Sequence, residues 1–96
     1  MNKVTDEILE QFKGRMHITS KAEDGNLKSM LASSYFYVQD KCGDFDLTVD
    51  GTGKELVFER SRYIYNDALE YFEDNFKSMI IGFQMSQLPE VPDEEE

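Results

Sequence analysis

The 96-residue sequence carries 20 acidic and 10 basic side chains, a net charge of -10. That balance argues against binding DNA by phosphate neutralisation, which needs clustered Lys and Arg. One cysteine, Cys42, rules out an internal disulfide or a cysteine-ligated cluster, and no apolar run is long enough to span a membrane.

The length fits one domain at the small end of self-sufficient cores, a size at which oligomerisation often supplements the core. Five of the acids lie in the last seven residues, EVPDEEE. Residues 1–88 therefore read as one helical domain and 89–96 as a disordered acidic tail. With no signal peptide evident, the expected address is the cytoplasm.

Thr5 reads as an N-cap, with Asp6 and Glu7 in the first turn and Val4 and Leu9 placed as a hydrophobic staple. A first helix of about 10 residues follows, ending near Gly14, with Ile8, Leu9 and Phe12 on its apolar face. His17, in the connector, is the lone histidine and has neither partner ligands nor a nucleophile at a telling spacing. Ser20-Lys21-Ala22-Glu23 has the form of a capping box. It opens a second helix whose core stripe is Leu27, Met30, Leu31, Ser34, Tyr35, Val38 and Cys42, closed by Gly43. Phe36 and Tyr37 lie off that stripe. They pack under the next loop or belong to a subunit contact.

The loop DFDLTVDGTGK is rich in oxygen ligands, so a calcium site must be weighed. Asp44, Asp46, Thr48, Asp50 and Glu55 approach an EF-hand register, but Val49 stands where the sharp turn needs Gly. The alternative register, from Asp46, places Val57 at the bidentate position. The favoured reading is no metal: a connector with Phe45, Leu47 and Val49 alternating inward, and Thr52-Gly53-Lys54-Glu55 as a second capping box.

Residues 55–79 contain neither Pro nor Gly, and Glu55, Glu59, Arg62, Asn66, Glu70, Glu73 and Lys77 recur at spacings of 3 and 4. This predicts one long central helix with a single solvated strip, about 37 Å long at 1.5 Å per residue. Its wide apolar arc is more than one small subunit would bury, so copies are expected to share it. After Met79, the alternation of Ile81, Phe83 and Met85 fits an extended arm as well as a short fourth helix. Pro89 and Pro92 end regular structure. The fold class is all-α: a small bundle of three main helices, one of them long and central, with a short C-terminal helix or arm. Subunit-contact candidates are Phe36, Tyr37, Tyr63, Tyr65, Leu69, Phe76, Ile81 and Phe83.

No Walker-type loop, GxGxxG, CxxC or HExxH is present, and no facing carboxylates suggest acid–base chemistry. No catalytic residue and no cofactor is expected. The chain reads as an interaction protein.

The series F-K-x-R-M-H-I, E-D-x-N-L-K-x-M-L and R-S-R-Y-I-Y-N-D-A-L-E-Y-F-E-D-N-F resembles the small head–tail connector, or head-completion, proteins of tailed phages and Gram-positive prophages. The resemblance spans residues 5–85 and is most distinctive over 60–76. It implies a non-enzymatic, all-helical virion subunit that forms a closed homo-oligomeric ring. The ring would dock under the portal protein, meet tail-side connector proteins, and let DNA pass without specific binding. The glycine- and aspartate-rich loop departs from the simplest family pattern. Two other readings stand beside it: an acidic phage-encoded inhibitor that mimics DNA and binds a host nucleic-acid enzyme, and a calcium-binding helix–loop–helix module.

Overall fold

The structure, a computed structural model, describes residues 4–88. The expected acidic tail, with Pro89 and Pro92, lies outside the described residues. The architecture is all-α, with no strand among the described residues. Four helices follow in order: α1 (Asp6–Met16), α2 (Asp24–Cys42), α3 (Thr52–Tyr65) and α4 (Phe72–Gln87).

α1 starts as its sequence dictates. Thr5 Oγ1 accepts from the Ile8 N–H at 3.2 Å, and Val4 and Leu9 are both buried. The helix runs two residues past Gly14 and closes on His17, which adopts the left-handed conformation at φ 60. The Ile18 N–H donates to Lys13 O, and the His17 N–H to Gly14 O, the paired bonds of a Schellman end. The lone histidine is therefore an exposed helix terminator.

α2 begins later than its capping-box motif suggests. The Ser20 hydroxyl accepts from the Ala22 N–H, two residues on, and forms a local turn. No side chain caps the helix at Glu23. The stripe Leu27, Leu31, Ser34, Tyr35, Val38 and Cys42 is buried as its spacing requires, with Met30 packed beside it. The second capping box also fails. The Glu55 side chain is drawn away to Arg15, and the backbone Glu55 N–H donates to Gly51 O.

The long helix over 55–79 does not exist. α3 ends at Tyr65, and Asp67 turns left-handed at φ 59. The Ala68 N–H donates to Tyr63 O and the Asp67 N–H to Ile64 O, a second Schellman end made without glycine. A single 3-10 turn at Leu69–Tyr71 then launches α4. Ring contacts measure the reversal: Tyr63 meets Phe76 at 5.5 Å and Phe72 at 5.7 Å. On an unbroken helix Tyr63 and Phe76 would stand about 20 Å apart along the axis.

The reversal makes α2, α3 and α4 an up-down-up bundle. Tyr65 near the end of α3 donates to Glu23 at the start of α2, while Tyr37 and Phe72 meet where α4 begins. α1 lies across α2 and α3, joined by Lys13 to Asp24 at 2.6 Å and by Arg15 bidentate to Glu55 at 2.9 Å. Phe12, Leu27, Leu31, Leu47, Leu56, Val57 and Phe72 fill the core. Gly53 is needed inside it. A Cβ there would stand 2.5 Å from the Phe45 ring and 2.9 Å from that of Phe83.

α4 also closes the end of α2. Gln84 Nε2 donates to Lys41 O at 2.9 Å, and Gln87 Nε2 to Asp44 O at 2.6 Å. Lys41 O is a carbonyl that the end of α2 leaves without a helical partner, and Asp44 O belongs to the loop just beyond it. No helix among the described residues is long and apolar enough to cross a membrane.

Candidate interaction surface

The fold divides the eight residues singled out for subunit contact. Tyr37, Tyr63 and Phe76 turn inward around Phe72, with Phe72 and Phe76 stacked at 4.9 Å. Phe83 packs edge-on to Phe45, and Tyr65 is held by Glu23. These five aromatics are half-buried against the protomer's own core. Phe36, Leu69 and Ile81 remain exposed, Phe36 to 70 % and Ile81 to 48 %. The single long helix expected to carry the 55–79 arc is therefore corrected to two. Broken, the segment buries part of that arc against itself, Tyr37 and the core, and leaves Leu69, Tyr71 and Met79 40, 59 and 38 % exposed.

A polar cluster sits beside the aromatic one. Arg60 lies over the Tyr37 ring at 4.3 Å, and its Nη1 donates to Ser34 at 3.2 Å. The Tyr37 hydroxyl donates to Glu73 at 2.5 Å, and Lys41 approaches the same carboxylate at 3.3 Å. Burial, then the bond to Glu73, pushes the Tyr37 phenol up to about 12. The same bond, followed by Lys41, holds the Glu73 carboxyl below its usual range. Desolvation lowers the Arg60 guanidinium, and its Nε is buried without a partner. Among the described residues no carboxylate bonds Arg60 directly, and it is held by stacking and two hydroxyls. The groove at this point, about 280 Å³, is lined by Tyr37, Arg60, Leu69, Glu70, Phe72 and Glu73. A tyrosine held neutral and a carboxylate held ionised by their mutual bond form a structural tie between α2 and α4.

The five oxygen-bearing loop residues do not converge. Asp46 Oδ1 accepts from both the backbone N–H and the hydroxyl of Thr48, closing a local turn. Asp44 accepts from Gln39, Asp50 pairs with Lys54, and Glu55 pairs with Arg15. Among the described residues no three His, Cys, Asp or Glu side chains come together to hold a metal ion. Of the three apolar loop residues, Leu47 is buried and Phe45 half-buried, but Val49 points out, because the turn at Asp46 breaks the alternation.

The outer face of α4, which the sequence singled out only at Ile81, is set by the helix. Its inner stripe is Phe72, Phe76, Ile80, Phe83 and Gln87. Beyond the kink at Phe76, at 100° per residue, Ile81, Met85 and Leu88 lie about 105–170° round from Ile80, Phe83 and Gln87. They are 48, 65 and 61 % exposed. An extended arm would have set Ile81, Phe83 and Met85 on one side; the helix sends Phe83 inward and the other two outward. The signal was present as the 3-4-3 spacing of Ser78, Ile81, Met85 and Leu88. It becomes legible only once this segment is known to be helical.

Compared with known protein families, with curated proteins and with solved structures, the chain matches none.

Proposed function

We propose that this protein is a non-enzymatic assembly subunit of the head–tail connector of a tailed phage or prophage. In this reading it packs with copies of itself into a ring under the portal protein, in the virion, and DNA passes through without specific binding. The likeness of residues 5–85 to that family suggests the role. The observation that carries it is the placing of large exposed apolar side chains on two separate helices. Phe36 lies on the side of α2 away from the core, and Ile81, Met85 and Leu88 on the outer side of α4. A closed ring is built from two different surfaces that mate head to tail, so each subunit must present two. The row along α4 is the stronger mark of a contact site, and Phe36, a single exposed ring on α2, the weaker.

The acidic balance fits a conduit, since like charge opposes phosphate binding. It fits a DNA-mimicking inhibitor less well. Asp6, Asp24, Asp50, Glu55, Glu59 and Glu73 are each paired with one of the chain's own cations, which offsets part of the charge a DNA mimic would have to present.

Light scattering of the protein alone and mixed with a phage portal protein tests the reading. A ring-sized species, formed alone or on the portal, is the expected result. A species that never binds portal overturns it.

A further inference from the structure

We infer that the α3–α4 hinge has a second state, in which α3 and α4 straighten into one helix and α4 docks, by its inner face, on the α2–α3 pair of another copy. The inference goes beyond the connector reading and needs no portal.

The hinge is short, and little in it opposes a helix. Asp67 alone reverses sign there, at φ 59. Asn66 at φ -93 and ψ 10, Ala68 at φ -129 and ψ 23, and Tyr71 at φ -95 and ψ -6 all keep negative φ, a modest rotation from helical angles. Arg62, Asn66, Glu70 and Glu73 carry the polar strip straight through it at spacings of 4, 4 and 3, with neither Gly nor Pro between them. Ala68 and Leu69 are strong helix formers. The left-handed Asp67 is the strained point, and a short strained hinge invites exchange between copies.

The protomer's own packing selects the occupant. Phe72, Phe76 and Phe83 of α4 cover Tyr37, Tyr63 and Phe45, and Gln84 and Gln87 donate to Lys41 O and Asp44 O. The surface that α4 uncovers on leaving is therefore matched, residue for residue, by the α4 of another copy. Exchange keeps these contacts and changes only which chain supplies them. The outward row of Ile81, Met85 and Leu88 stays outward in both states.

What differs is the hinge. Exchange continues the helix through Asp67 and relieves its positive φ. Against this stand the entropy of association and the repulsion of two copies at a net charge of -10. The monomer therefore holds when dilute, and the exchanged form gains with concentration and with salt. The two interconvert slowly, because α4 must first leave its own core.

Refolding the full chain from urea at micromolar and at millimolar concentration, with sizing after dilution, tests the exchange. A dimer is expected from the concentrated sample alone, and it should return to monomer slowly. Thr52→Cys combined with Ser86→Cys, both exposed and labelled in the folded state where Cys42 is buried, carries a donor and an acceptor dye. In the monomer these sites are close, since Gly53 lies against the Phe83 ring. On one straight helix they stand about 50 Å apart. In excess unlabelled chain, energy transfer within the labelled chain should fall severalfold as the dimer forms. Asp67→Ala, which favours the helix, should lower the concentration of half-dimerisation about tenfold, and Asp67→Gly, which favours the turn, should raise it about as much.

A chain that stays monomeric at millimolar concentration overturns the exchange. So does a dimer that keeps its transfer within one chain, or one indifferent to both Asp67 variants. None of these results bears on the connector reading, which light scattering with portal decides by itself.

Discussion

The hinge and the C-terminal end of the α3–α4 segment use apolar residues in opposite ways. At its hinge, Tyr63, Phe72 and Phe76 close on one another and on Tyr37, and Phe72 is fully enclosed. At its C-terminal end, Ile81, Met85 and Leu88 face outward and stay 48, 65 and 61 % exposed among the described residues. Apolar content alone does not separate the two regions. A fold-back at Asp67 does, because it encloses the first set and leaves the second largely exposed among the described residues. Apolar surface points to self-assembly only after the protomer's own packing has been subtracted.

Truncation should part the regions most sharply. Phe72→Ala is expected to destabilise the protein by about 3–5 kcal/mol, as large core deletions do. Met85→Ala should change stability by no more than about 0.5 kcal/mol. Urea unfolding of the two variants, at a concentration too low for association, decides whether the hinge is packed and the outer face open. Equal losses would erase the distinction.

One substitution made at two glycines sharpens it further. Gly53→Ala drives a methyl into the Phe45 and Phe83 rings and should cost about 1–3 kcal/mol. Gly82→Ala, in open space, should raise the stability of the monomer by up to about 1 kcal/mol. The opposite signs are visible as opposite shifts in the denaturant midpoint.

The hinge can be probed directly. Asp67 holds a positive φ that L-residues adopt at a cost, so Asp67→Gly should stabilise by several tenths to about 1 kcal/mol. A β-branched residue, as in Asp67→Val, should do the reverse.

Titration provides the smallest effects. The Tyr37 phenol ionises higher in the folded protein than in the unfolded chain, so its stabilising contribution is complete below pH 10. It is lost as the pH climbs from 10 towards about 12. Melting temperatures across that window should fall more steeply for the native protein than for Tyr37→Phe. The Glu55 carboxyl, bound by Arg15, sits below its usual 4.5. Its contribution is therefore complete above that value and fades as the pH drops through the lowered one. Because the pair is partly solvated, Glu55→Gln should flatten the acid limb by less than about 1 kcal/mol.

Much of the local structure was written in the chain. The Thr5 cap, the staple of Val4 and Leu9, the buried stripe of α2 and its end at Gly43 follow from residue type and spacing, because each is decided by neighbours a turn away. Both capping boxes at α2 and α3 misled for one shared reason: Ser20 found a nearer amide, and Glu55 found Arg15, 40 residues away in sequence. The hinge at Asn66 and Asp67 was hidden because Asn66, Glu70 and Glu73 continue the polar strip of an unbroken helix, and neither Gly nor Pro marks the turn. Asp tolerates the left-handed conformation well enough to end a helix without announcing it.

Residue order alone thus determined that this protein is helical, where its first two helices lie, and which of their faces are buried. Only the tertiary structure decided that the third apolar segment is two helices and which aromatics remain on the outside. A continuous helix and a broken one satisfy the backbone almost equally. The balance between them is tipped by burying Phe72 and Phe76 against Tyr63 and Tyr37, contacts that do not exist until the chain has turned back on itself.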